Sequence, residues 1–137
     1  MKDRRARQTY QKTRVQTANP AGLVLMLYQG GVDNLAAAER ALGDDGEMFH
    51  RALKRAQDII VELMISLDTS GDGDFAANLM RLYEYMHHRL VRANVENDLE
   101  IVVEIRGILE ELLEAWREAA RGSRGEEAED APVDVRA

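Results

Sequence analysis

Cysteine is absent from this 137-residue chain, which removes disulfide frameworks, thiolate zinc sites, iron–sulfur clusters and cysteine nucleophiles at once. A reducing compartment agrees with that absence without being required by it. Aromatic residues make up only 5% of the sequence, and no stretch sustains the alternation of a half-buried strand, so no sheet is expected. The longest apolar run, Leu23 to Tyr28, is far too short to cross a bilayer. The start, Met1-Lys2-Asp3-Arg4-Arg5, leads into polar residues and lacks the apolar centre of a signal peptide. The expectation is a soluble protein of the cytosol with no membrane insertion.

What is present fits one folded domain: 45% hydrophobic and 31% charged residues. The net charge of −7 is unevenly placed. Residues 1–16 carry six bases (Lys2, Arg4, Arg5, Arg7, Lys12, Arg14) and one acid (Asp3), hence +5, while the remainder has 12 bases and 24 acids, hence −12. A basic arm on an acidic body either reaches a polyanion or lies back on its own domain. One such arm on an acidic protein is poor support for nucleic-acid binding, and no nucleic-acid partner is expected.

The punctuation divides the chain into four helices. Asn19-Pro20 reads as an N-cap followed by a proline at the first helical position. The helix it opens runs to about Leu42 and ends at Gly43, a left-handed cap. Asp44 or Asp45 caps a second helix from about Glu47 to Leu67. The run Asp68-Thr69-Ser70-Gly71-Asp72-Gly73-Asp74 breaks the chain before a third, Phe75 to Ala93. Asn94-Val95-Glu96-Asn97-Asp98 breaks it before a fourth, Leu99 to Ala120. Short loops between long helices predict an all-α, antiparallel up-down four-helix bundle over 19–120. Residues 1–18 form an N-terminal arm, and 121–137, with few apolar residues, read as a disordered acidic tail.

Advancing about 100° per residue gives each helix one inward stripe. The stripes are Val24, Leu27, Tyr28, Leu35, Ala38 and Leu42; then Phe49, Ala52, Leu53, Ala56, Ile60, Leu63 and Leu67. On the third helix they are Phe75, Leu79, Leu82, Tyr83, Met86, Leu90 and Ala93, and on the fourth Ile101, Val102, Ile105, Ile108, Leu109, Leu112 and Trp116. Apolar residues are left over. Leu25 and Met26 lie off the first stripe, Val61 and Ile65 sit one turn apart behind the second, and Val103 is off the fourth. Met80, His87 and Val91 flank the third. Single exposed apolar residues are ordinary, but pairs at helical spacing on several helices suggest a surface that receives a partner segment.

Two chemical motifs are deceptive. Glu47-x-x-His50 and Glu84-x-x-His87 resemble the ligand pairs of di-iron carboxylate bundles. Glu47 and His50 nevertheless fall in a first turn, Glu84 points off the core stripe, and an antiparallel pairing sets His50 against a residue near Arg92 rather than His87. Asp68-x-Ser70-x-Asp72-Gly73 matches the first half of an EF-hand loop, yet Leu79 stands where the bidentate glutamate belongs. It is better read as an interhelical turn whose aspartates are at most a weak cation site. His88 is expected in solvent. No metal, no cofactor, no catalytic residues and no enzymatic activity are expected.

Tyr10 and then Val15-x-Thr17-Ala18-Asn19-Pro20, followed by Leu23-Val24-Leu25-Met26-Leu27-Tyr28-x-Gly30, resemble the FliS family of flagellar export chaperones for flagellin. Lys54-x-Ala56-Gln57-Asp58-Ile59-Ile60-x-Glu62-Leu63 and Ser66-Leu67-Asp68 agree. So do Ala77, Asn78 and Leu79, Leu82-Tyr83-x-Tyr85-Met86, Arg89-Leu90-Val91-x-Ala93-Asn94, Asn97-Asp98 and Trp116. The similarity covers about residues 10–120; position 87 departs from the aromatic of that family. The resemblance implies a bundle that binds the disordered C-terminal region of new flagellin, prevents premature polymerisation and supports delivery to the export machinery. It also implies that the arm, with Tyr10 and Val15, can lie over part of the client groove. The leftover residues Leu25, Met26, Val61, Ile65, Met80, His87, Val91 and Val103 are then the candidate client contacts. Two alternatives stand beside it: a self-assembling bundle whose outer stripes close a homodimer or larger oligomer, and a di-metal carboxylate enzyme.

Overall fold

A computed structural model describes residues 20–71 and 73–125. Four helices fill this span: α1 Pro20–Ala41, α2 Gly46–Ser66, α3 Phe75–Glu96 and α4 Leu99–Gly125. There is no strand among the described residues, and no helix there is long and apolar enough to cross a membrane. Asn19, Tyr10, Val15, the rest of the arm and residues 126–137 of the expected tail lie outside the described span.

Local chemistry sets the helix ends. Gly43, at φ +94°, turns the chain after α1 in a conformation that glycine enters without strain. Asp45 is the N-cap of α2, its carboxylate accepting the Met48 N–H at 3.0 Å. In the next loop Asp68 Oδ1 accepts from both the N–H and the hydroxyl of Ser70, at 3.0 and 2.6 Å. Residues 68–70 are therefore folded as a side-chain-stabilised turn. α3 does not stop at Ala93 as the sequence suggested but continues to Glu96. Asn94 is not a breaker, because its amide bonds to side chains of α2. The stop comes at Asn97 in the left-handed region, φ 55°. Asp98 then caps α4 by accepting from the N–H groups of Glu100 and Ile101. α4 also outruns the reading, continuing five residues past Ala120 to Gly125.

α1 packs on α2 and α4, and α3 packs on α2 and α4, so the helices occupy the corners of a square in chain order. Ion pairs and hydrogen bonds fix the antiparallel register: Glu39 with Arg106, Gln29 with Arg117, Arg89 with Glu104, His50 with Asn94. The α2 stripe is buried at all seven expected positions. Leu27, Leu42, Leu82, Ile108 and Leu112 are only half-buried, while Val32, Ala41 and Leu113 join the core. Phe75, read as core, is 63% exposed. It is the first residue of α3, one turn before the buried Leu79, at the end of the bundle. Across the centre the hydroxyls of Tyr28 and Tyr83 meet at 2.5 Å, and Trp116 stacks on Tyr28 with ring centroids 6.4 Å apart. Burial pushes both phenols above their ordinary range, so each stays a neutral hydrogen-bonding group inside the core.

Candidate functional site: the seam between α2 and α3

Side chains bridge all four seams between neighbouring helices. At α1–α2 and α1–α4, Gly30 and Gly31 bring backbones close. A β-carbon at Gly30 would stand 3.2 Å from Ile59 Cδ1, and one at Gly31 only 2.9 Å from Leu109 Cδ1. α1–α4 is also tied by Arg106, which donates two hydrogen bonds to Glu39 and a third to Glu110 at 3.0 Å. At α3–α4, Glu104 accepts from the Tyr85 hydroxyl at 2.5 Å and from Arg89 Nη2 at 2.8 Å. The Tyr85 hydrogen bond, and after it Arg89, holds the Glu104 carboxyl below its ordinary range.

The α2–α3 seam is bridged by amide and imidazole groups. On α2, His50, Gln57 and Met64 recur every seven residues; on α3, Met80, His87 and Asn94 do the same, so each set lies along one flank. These flanks face each other, because Asn94 Nδ2 donates to Gln57 Oε1 at 3.2 Å while Asn94 Oδ1 pairs with His50 Nδ1. With the Asn94 amide so oriented, His50 Nδ1 carries the proton. The partner of His50 is thus two residues from the position expected, and His87 stands two turns away along α3, so the two Glu-x-x-His motifs do not converge. Glu47 and Glu84 are both exposed. No group of three or more His, Asp or Glu side chains is placed to hold a metal ion among the described residues.

Val61 lies one turn beyond Gln57 on the same flank of α2, and Ile65 one turn beyond that. Val91 lies one turn beyond His87 on α3. All three are exposed, Ile65 by 60%, whereas Met64 and Met80 are half-buried against the core beneath. Lys54 and Asp58, paired at 2.7 Å, close the rim on the α2 side. The seam thus carries Met64, Met80 and His87 half-buried, with Val61, Ile65 and Val91 exposed along it.

Of the eight candidate contacts, five (Val61, Ile65, Met80, His87 and Val91) come together here. The other three do not. Leu25 is half-buried one turn before Gln29, on the flank of α1 that faces α4. Met26 is 60% exposed on the outer face of α1, and Val103 is exposed on α4 one turn before Arg106, towards the other end of that seam. Sequence periodicity did not single out Gln57 and Asn94, whose amides register the groove.

The described residues thus form an antiparallel helical bundle with exposed apolar residues gathered along the α2–α3 seam. Comparison with known proteins gives that architecture a family. The family model for the flagellar protein FliS matches residues 3–123. The flagellar secretion chaperone FliS of Bacillus subtilis is 36% identical over 116 residues, covering 84% of this chain and 86% of that protein. FliSB of Pseudomonas aeruginosa is 37% identical over 110 residues, 77% and 84% of the two chains. FliS of Salmonella typhimurium is 36% identical over 107 residues, 76% and 78%. A crystal structure of a bacterial flagellar chaperone has the same fold, with a TM-score of 0.71 at 21% identity over 88% of this chain and 98% of that one. The chain belongs to the FliS family of flagellar proteins.

Proposed function

We propose that this protein is a cytoplasmic flagellar export chaperone that binds the disordered C-terminal region of flagellin along the α2–α3 groove. Binding would prevent premature polymerisation and support delivery to the flagellar export machinery. The observation that carries this reading is the convergence of Val61, Ile65, Met80, His87 and Val91 on one seam. A disordered segment would settle there as an amphipathic helix, its apolar face in the groove. Ordering it costs about 2–5 kcal/mol of the gross interaction energy, which leaves the grip reversible without chemistry or ATP. A client long enough to continue around the bundle would reach Leu25, Met26 and Val103 as further contacts.

Isothermal calorimetry with the purified C-terminal region of flagellin tests the proposal. Saturable binding that Ile65→Asp weakens at least tenfold supports it, and wild-type affinity in that variant counts against it. The arm enters the same experiment. If Tyr10 and Val15 cover part of the groove, deleting residues 1–16 tightens client binding; unchanged or weaker affinity removes the covering role. Light scattering before and after client addition separates client capture from a homodimer closed through the same apolar stripe.

A further inference from the structure

The chain is acidic except at its start. Residues 1–16 carry six bases and one acid, a charge of +5, and lead into α1 at Pro20. Residues 126–137, which follow α4, carry five acids (Glu126, Glu127, Glu129, Asp130 and Asp134) and one base, Arg136, a charge of −4. Two contacts between α1 and α4 fix where these segments leave the bundle. Arg117 Nη2 donates to Gln29 Oε1 at 2.8 Å, and Arg106 pairs with Glu39. Counting back along α1 from Gln29 and forward along α4 from Arg117 sets Pro20 level with the last described turn of α4, which ends at Gly125. Packed helices lie about 8–10 Å apart, so the basic and acidic segments leave one end of the bundle side by side.

The bundle offers the arm less opposite charge at that end. Glu114 and Glu118, on the last turns of α4, are already engaged by Arg121 at 3.3 and 2.8 Å. Asp33 on α1 accepts from Gln29 at 3.0 Å. The α2–α3 loop, at the same end, adds three aspartates, of which Asp68 is bonded to Ser70. The tail sets five acids within nine residues against one base. Single exposed ion pairs are worth little. Two oppositely charged segments on short tethers nevertheless meet at an effective concentration of about millimolar. We propose that the acidic tail is the intramolecular partner of the basic arm. The two form an electrostatic clasp at the end of the bundle where α1 begins and α4 ends, and the clasp shields the arm from polyanions such as nucleic acid. It does not depend on where the client binds.

The chain has no cysteine, so Ala6→Cys gives a single attachment point for a spin label. In NMR of the full isotope-labelled chain, the amides of residues 126–134 should lose about half their intensity or more at about 0.01 M salt. They should recover at about 1 M, as the Debye length falls from about 30 Å to about 3 Å. Neutralising the tail (Glu126→Gln, Glu127→Gln, Glu129→Gln, Asp130→Asn and Asp134→Asn) should abolish the loss at low salt. Tail amides that keep their intensity at low salt overturn the clasp. So does broadening centred on the α2–α3 loop, or broadening that survives neutralisation. A mixture of spin-labelled, unenriched chain with enriched chain lacking the spin label should show no such loss; an equal loss there means contact between molecules and overturns a clasp within one. Shielding is read on a heparin column. The neutralised variant should elute at higher salt than the wild type, and the gain should vanish when residues 1–16 are also deleted. Equal elution, or a gain that survives the deletion, overturns the shielding.

Discussion

The α1–α2 and α2–α3 seams share a helix and differ in what fills them. Where α2 meets α1, Gly30 and Gly31 remove side chains, and Ile59 fills the space they leave. Where α2 meets α3, Met64 and Met80 cover the core but Val61, Ile65 and Val91 remain above them with nothing of the described chain on top. A seam zipped by small residues spends its apolar surface on folding. The exposed apolar residues of the α2–α3 seam are the surface that the proposed client would cover.

The contrast can be broken from the core outwards. Tyr83→Ala empties a buried position beneath both seams and leaves the Tyr28 hydroxyl without its partner; a loss of about 3–5 kcal/mol is expected, read as the urea midpoint. Gly31→Val forces branched carbon into the contact with Leu109 and should cost about 1–3 kcal/mol by overpacking. Asn94→Leu leaves the Gln57 carbonyl, on a buried side chain, without this partner, for about 1–2 kcal/mol. Ile65→Asp, by contrast, should leave stability within about 0.5 kcal/mol while weakening the client at least tenfold. A matching loss of stability would mean that Ile65 belongs to folding, as Ile59 does.

The smallest effect concerns the α3–α4 seam. Because the folded Glu104 carboxyl is held below its ordinary range, its contribution is present above the unfolded carboxylate value of about 4.3 and is lost as pH falls through the lower folded value. The wild type should therefore exceed Glu104→Gln in urea midpoint at pH 7, with the gap closing towards pH 3. A gap that persists in acid would separate Glu104 from that linkage.

The sequence was most legible where one helix sufficed. Every expected inward position of α2 is buried, along a single row. On α1 and α4 the stripe is wider than a single row, so Leu27, Leu42, Ile108 and Leu112 fall half-buried while Val32, Ala41 and Leu113 go inside. Phe75 followed the periodicity into a place where the bundle ends. Asn94 and Gly122 carry weak helix propensity that packing and continuity overrode. For the groove, the leftover apolar residues could be read one helix at a time, but which of them share a seam could not. That depends on which flank of α2 faces which flank of α3, and the pairing through Asn94, Gln57 and His50 fixes it. Met26 and Val103 looked equivalent to Val61 and Val91 in sequence, and only the arrangement of helices separates them.

The groove is tested most directly by methyl NMR of the full chain titrated with the flagellin C-terminal region. The largest shifts should fall on Val61, Ile65, Met80 and Val91, with Met26 and Val103 moving less. Shifts centred on Met26, Leu25 and Val103 with the α2–α3 methyls unmoved would contradict the assignment of the client to this seam.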